Sequence, residues 1–231
     1  DANGGVLTVD GITYSFPVGS ATMLVGDATD ISGVYSGACA YGGFADYMGN
    51  CGTGNSVGVG GAGVTAAMSY AFDGGFTIAG GVSSPQSEIL GESDDMYGLE
   101  VAYSDDVYGV AVAYSDAETA SYVGLNAFYD FDFATLSAGY ESADVEAEAD
   151  TTSTFFVGMT KEVGPGTFEL GYGSSDVTAT MGLGLTETAY LYDASYAYPV
   201  NDALTITPGI VILDAEGEET TFAAIKASFS F

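Results

Sequence analysis

The sequence has no histidine, no arginine and no tryptophan, and among its 231 residues only two lysines, Lys161 and Lys226. Each absence removes a class of function. Without imidazole, nucleophile–base pairs that use histidine and metal sites that need it are excluded. No other nucleophile–base pair suggests itself, so neither an enzymatic activity nor a cofactor is expected. Without a basic surface nothing could neutralise a phosphate backbone, and nucleic-acid binding is excluded. Cysteine is scarce: Cys39 and Cys51 lie in a glycine-rich stretch, do not match a zinc spacing and are too few to close a site. A disulfide formed in an oxidising compartment is the expected state, with two free thiols as the alternative. No apolar run approaches the ~20 residues of a spanning helix. No signal-peptide pattern heads the chain, which is expected to be a mature chain or a piece of one.

What is present is acid and aromatic. Thirty-two Asp and Glu give a formal net charge of −30, yet 47% of residues are hydrophobic, with 17 Tyr and 13 Phe. Acidic disordered chains are poor in aromatics, so this chain has apolar material to bury. Helical periodicity is nearly absent. Instead, runs of roughly 8–12 residues with period-two alternation recur, each closed by a turn. They are read at 12–19, 21–27, 64–72, 76–84, 96–104, 107–115, 121–131, 133–142, 153–163, 166–175, 187–199, 204–214 and 221–231. That is about thirteen strands. Short connections (72–75, 105–106, 132–133, 164–166, 200–203) alternate with long ones (28–63, 85–95, 143–152, 176–186), and 116–120 and 215–220 fall on the long side. The fold class is therefore all-β: an antiparallel up-and-down meander with one tidy end and one loopy end. That is the asymmetry of transmembrane β-barrels, with tight periplasmic turns and longer extracellular loops.

Alternation also sorts chemistry by face. Tyr108, Val110, Val112 and Tyr114 share one face of their run, as do Phe168, Leu170 and Tyr172, and Tyr190, Tyr192, Tyr196 and Tyr198. The apolar faces suit lipid, and tyrosines near strand ends suit interfacial aromatic girdles. In the closing stretch FAAIKASFSF, Ala223, Ile225, Ala227, Phe229 and Phe231 point one way, and Phe222, Ala224, Lys226, Ser228 and Ser230 the other. A carboxy-terminal Phe on such a strand resembles the terminal signal of bacterial outer-membrane barrels.

The segments ITYSFPVGS, SYAFDGGFTI, MYGLEVAYSDDVYGVAVAY, TFFVGMTKEVGPGTFELG and SYAYPVNDALTITPG, in this order and spacing, resemble the porins of cyanobacterial outer membranes, relatives of the carbohydrate-selective porins. The resemblance runs from about residue 7 to the end. It implies homotrimers of barrels with about 16 strands, embedded in outer-membrane lipid. Members usually carry an S-layer-homology domain and a coiled coil ahead of the barrel. Neither is read in residues 1–231, which are expected to be barrel throughout. With a periplasmic carboxy terminus, thirteen strands place residue 12 at the extracellular end. An even count then needs a further strand, either within 1–10, where Leu7 and Val9 alternate, or upstream. The resemblance favours about three upstream strands.

The longest connection, 28–63, is expected to be a constriction loop folded into the lumen, pinned by Cys39 and Cys51, with Asp46 near the narrowest point. The alternative is a surface loop facing the medium. Strand phase places Glu100, Glu141, Glu169, Asp193 and Lys226 on the lumen face, as a field that tunes ion flux or as ordinary solvated polar residues. The acidic connections 92–95, 144–150 and 214–219 have the composition to attract divalent cations, or form a solvated rim. The function expected is an outer-membrane porin for passive diffusion of ions and small hydrophilic solutes. The alternative is an acidic, calcium-binding extracellular adhesion or surface protein. No nine-residue Gly-Asp repeat supports that alternative.

Overall fold

In a computed structural model, the structure describes residues 11–44, 50–58, 63–85, 95–117, 119–146, 151–175, 188–215 and 217–230. Thirteen antiparallel strands form one sheet: β1 Ile12–Val18, β2 Ala21–Asp27, β3 Val64–Ala71, β4 Phe76–Ser84, β5 Met96–Ser104, β6 Tyr108–Ala117 and β7 Ala120–Asp130. The sheet continues with β8 Thr135–Val145, β9 Thr152–Val163, β10 Gly166–Ser175, β11 Ala189–Asn201, β12 Leu204–Ala215 and β13 Glu218–Phe229. Sequence order is also spatial order, from β1 at one edge to β13 at the other. It is an up-and-down transmembrane barrel wall. No helix among the described residues is long and apolar enough to cross a membrane, and the crossing is made by strands.

The strands follow from the alternation. On β6 every second residue from Tyr108 to Tyr114 is exposed, while Gly109, Ala111, Ala113 and Ser115 between them are buried. Tyr108, Val110, Val112, Leu170 and Tyr192, expected to face lipid, stand exposed on the outer face, and half-buried Phe168 shares their phase. Aromatics gather at both ends of this face. At the short-turn end Phe76 meets Tyr103, which meets Tyr108, and Tyr129 meets Phe131. At the other end Phe155 meets Tyr172, which stacks with Tyr190 and Tyr192. Tyr and Phe thus form the girdles, with no tryptophan in the chain.

Two connections differ from expectation. β6 and β7 are joined through 118–119, and β12 and β13 through 216–217, where longer linkers were read. The strands run past the apolar band into water, where polar residues such as Asp116 and Glu219 replace the alternation that marks a strand in lipid. The short turns match expectation more closely. Gly74 and Gly75, both at positive φ near 90°, reverse the chain between β3 and β4 in a conformation that side chains resist. β13 ends at the short-turn end, and β1 begins at the other. Ala223 and Ile225 pair with Ile210 and Pro208 on the outer face, while Lys226 pairs with Thr207 on the inner face.

Candidate functional site

The inner face is covered by the connection between β2 and β3. From Ser36 to Phe44 this segment runs across the wall from β5 to β11. Every second backbone N–H of it donates to a side chain rising from a different strand. Ser36 N donates to Glu100 Oε1 on β5 (2.7 Å), with Gly37 N adding bonds to both Glu100 oxygens (3.2 Å each). Ala38 N donates to Asn126 Oδ1 on β7 (2.7 Å), and Ala40 N to Ser137 Oγ on β8 (3.1 Å). Gly42 N donates to Glu169 Oε1 on β10 (3.0 Å), and Phe44 N to Asp193 Oδ2 on β11 (2.9 Å). The wall side chains serve as the missing neighbouring strand of an extended segment. Two of the five bonds to carboxylates, at 2.7 and 2.9 Å, lie in the range of bonds strengthened by an ionised acceptor.

The returning leg is held the same way. A one-turn helix, α1 Gly54–Val57, presents Ser56 N to Glu141 Oε2 (2.7 Å), while Asn55 Nδ2 donates to Glu141 Oε1 (2.8 Å). Asn126 joins the two legs: its Oδ1 accepts from Ala38 and its Nδ2 donates to Thr53 Oγ1 (3.1 Å). Thr154 Oγ1 donates to the Gly52 carbonyl and Ser115 Oγ to that of Asn55. Cys39 and Cys51 are joined as a disulfide with Cα atoms 5.7 Å apart, so the outward and returning legs are linked covalently as well.

Small residues in the wall make this closeness possible. A Cβ at Gly139 on β8 would collide with the Cys51 carbonyl oxygen, and one at Gly124 on β7 with Ser56 Oγ. Likewise Gly98 leaves room for Ile31 and Tyr35, Gly171 for Tyr41, and Gly209 for the Phe44 ring. Tyr41 also packs on Phe156, with ring centroids 4.8 Å apart. Burial pushes the Tyr35 phenol well above its ordinary value, with the Glu100 carboxylate adding to the effect. Burial does the same to Tyr41, helped by Asp193 and Glu169. Both phenols therefore stay neutral.

The residues singled out from the sequence occupy the following places. Glu100, Glu141, Glu169, Asp193 and Lys226 are all on the inner face. Three of the acids were read as charges on an open wall, but they lie beneath the loop: Glu100 is 1%, Glu141 2% and Asp193 1% exposed. The loop's N–H groups close over them. Asp46 falls outside the described residues. Asn126 and Ser137 were missed. Their inward strand phase, shared with the neighbouring acids, was the one available sign. Of the acidic connections, 92–94 and 147–150 fall outside the described residues. Among the described residues no group of three or more Asp, Glu or Cys gathers as a metal site.

A family model described as Gram-negative porin matches residues 8–210. No curated protein matches the sequence. A porin structure refined at 1.8 Å resolution matches with a TM-score of 0.69 at 17% identity, covering 95% of this chain and 80% of that one. A triple mutant of the Rhodopseudomonas blastica porin matches with a TM-score of 0.64 at 16% identity, covering 100% of this chain and 81% of that one.

Proposed function

Because this chain belongs to the Gram-negative porin family, a channel of the outer membrane for passive diffusion of solutes, we propose that the 28–63 loop sets the bore of that channel. The observation that carries this reading is the ladder of N–H bonds from Ser36 to Phe44 onto five strands of the inner wall. A loop held at so many points narrows the lumen by a fixed amount. On this reading Glu100, Glu141, Glu169 and Asp193 are anchors first and contributors to the pore field second. The Cys39–Cys51 bridge keeps the two legs together, and Asp46 belongs to the same loop. Conductance in planar bilayers tests it. The double variant Glu100→Ala, Glu169→Ala should raise single-channel conductance and current noise. Unchanged conductance and noise would remove the loop from the bore.

Three finer features are part of the same proposal. Among the described residues the edge strands β1 and β13 do not pair with each other, and an open edge facing hydrocarbon leaves backbone groups unsatisfied. We propose that strands outside the described residues close the barrel at about 16. The intact mass of the native protein, with its amino-terminal sequence, tests this. The resemblance of the quoted segments to cyanobacterial, carbohydrate-selective porins suggests homotrimers and small hydrophilic solutes. Mass in mild detergent and liposome swelling with sugars test these in turn. The acidic extracellular connections would take up divalent cations weakly, which calcium titration followed by calorimetry would detect.

A further inference from the structure

The outer face is not evenly filled. Along β6 to β10 two rows of outward residues run in register. One row, Tyr108, Tyr129, Leu136, Met159 and Leu170, is bulky. In the adjoining row the paired residues Ala127 and Ala138 face each other across β7 and β8. With only methyl groups at that pair, the wall sinks into a groove of about 910 Å³ that extends to Phe131 at the short-turn end and Tyr172 at the other. Its lining is almost wholly apolar. Ordinary lipid chains slide past a convex barrel wall, whereas a groove of this length can hold one chain in place.

Charge marks one mouth of the groove. Lys161, one of two basic residues in a chain of net charge −30, is exposed on β9 two residues beyond Met159 toward the short turn at 164–165. Its outward phase follows from Val157 and Met159. It pairs with Phe168 on β10, within the aromatic girdle. Two residues of strand span about 7 Å, so the ammonium group stands just outside the groove at headgroup level, its stem lying along the apolar wall. Two acids of that rim are engaged elsewhere. Glu162 points inward and accepts from Thr167 Oγ1 (2.9 Å), and Asp130 accepts from Asp132 N within its own turn (2.9 Å).

We propose that this groove and Lys161 together form a binding site for an anionic phospholipid of the periplasmic leaflet. One acyl chain lies over Ala127 and Ala138, and the phosphate pairs with the ammonium group. Short turns mark the periplasmic end of such barrels, which fixes the leaflet. In a chain that otherwise repels anionic headgroups, a lone outward cation above an apolar groove selects for one lipid class.

Native mass spectrometry of the full-length protein extracted in mild detergent tests the site. Equal amounts of phosphatidylglycerol and phosphatidylcholine with identical acyl chains are added. The wild type should retain phosphatidylglycerol about five-fold over phosphatidylcholine, the effect of one lysine near an anionic headgroup. Lys161→Gln should bring that ratio to about one, and Lys226→Gln, on the other face, should leave it unchanged. Ala138→Phe fills the groove and should lower retention of both lipids, with single-channel conductance at the wild-type level showing that the barrel has folded. Three results would each overturn the proposal: equal retention of both lipids by the wild type, a preference that survives Lys161→Gln, or retention of lipopolysaccharide in place of phospholipid. A change in oligomer mass in Ala138→Phe with lipid retention intact would do so too, since the face would then be a contact between copies.

Discussion

Single residues act here according to which face of the wall they occupy. Leu170 is 46% exposed on the outer face, while its neighbour Glu169 points inward and holds the loop through Gly42. Leu170→Arg places a charge against hydrocarbon and should cost about 2–4 kcal/mol near the midplane, read as a lowered midpoint in urea-driven unfolding from vesicles. Cysteine placed at 169 should react with a membrane-impermeant reagent faster than cysteine at 170. The opposite order would mean that the register is shifted by one residue, which reverses every face. On the inner face the sensitive positions are glycines. Gly139 has no room for a methyl group, because the atom it would meet is the Cys51 backbone carbonyl, which cannot rotate away. Gly139→Ala should therefore lift the returning leg, cost about 1–3 kcal/mol and raise conductance. Wild-type stability and conductance would show that the leg does not rest there.

At the scale of elements, the strand and the loop were unequally legible. All thirteen strands could be placed to within a few residues, because lipid on one side and water on the other force a period of two. Where that contrast ends the reading failed, as at the tight β6–β7 and β12–β13 connections. The loop's path was beyond reach for another reason. The partners of its Ser36–Phe44 leg lie 63 to 149 residues away along the chain, and the donors of that leg are backbone N–H groups, which every sequence has. The acids could be assigned to the inner face, but not their partners. Half-buried Tyr35 and buried Tyr41 make this loop sensitive to alkali. A phenol whose value is raised on folding contributes stability that is fully present below the unfolded value, ~10. That contribution is lost as pH rises toward the folded value. Tyr35 and Tyr41 are both shifted upward by burial. The loop should thus loosen progressively above about pH 10, seen as faster proteolysis between β2 and β3 while sheet circular dichroism is retained. In the double variant Tyr35→Phe, Tyr41→Phe this alkaline step should disappear. A step that persists would place its origin in other groups.

The whole molecule is strongly acidic. Its formal charge of −30 is offset by no arginine and two lysines, and those two lysines face opposite ways, Lys161 outward and Lys226 into the lumen. The anchoring carboxylates accept hydrogen bonds from N–H dipoles rather than from cations, so the loop covers their charge without cancelling it. Two charges at ~4 Å in bulk water interact by only ~1 kcal/mol, but a set of like charges inside low-dielectric walls focuses its field along the bore. The channel should prefer cations at low salt, and the preference should fade as salt rises past ~0.1 M, where screening acts within about 10 Å. Reversal potentials across a KCl gradient, at low and high mean concentration, measure this. Lys226→Gln removes the one described base on the lumen wall and should shift the low-salt reversal potential further toward the cation limit. Anion selectivity in the wild type at low salt would mean that the sign of the pore is set by groups other than the acids beneath the loop.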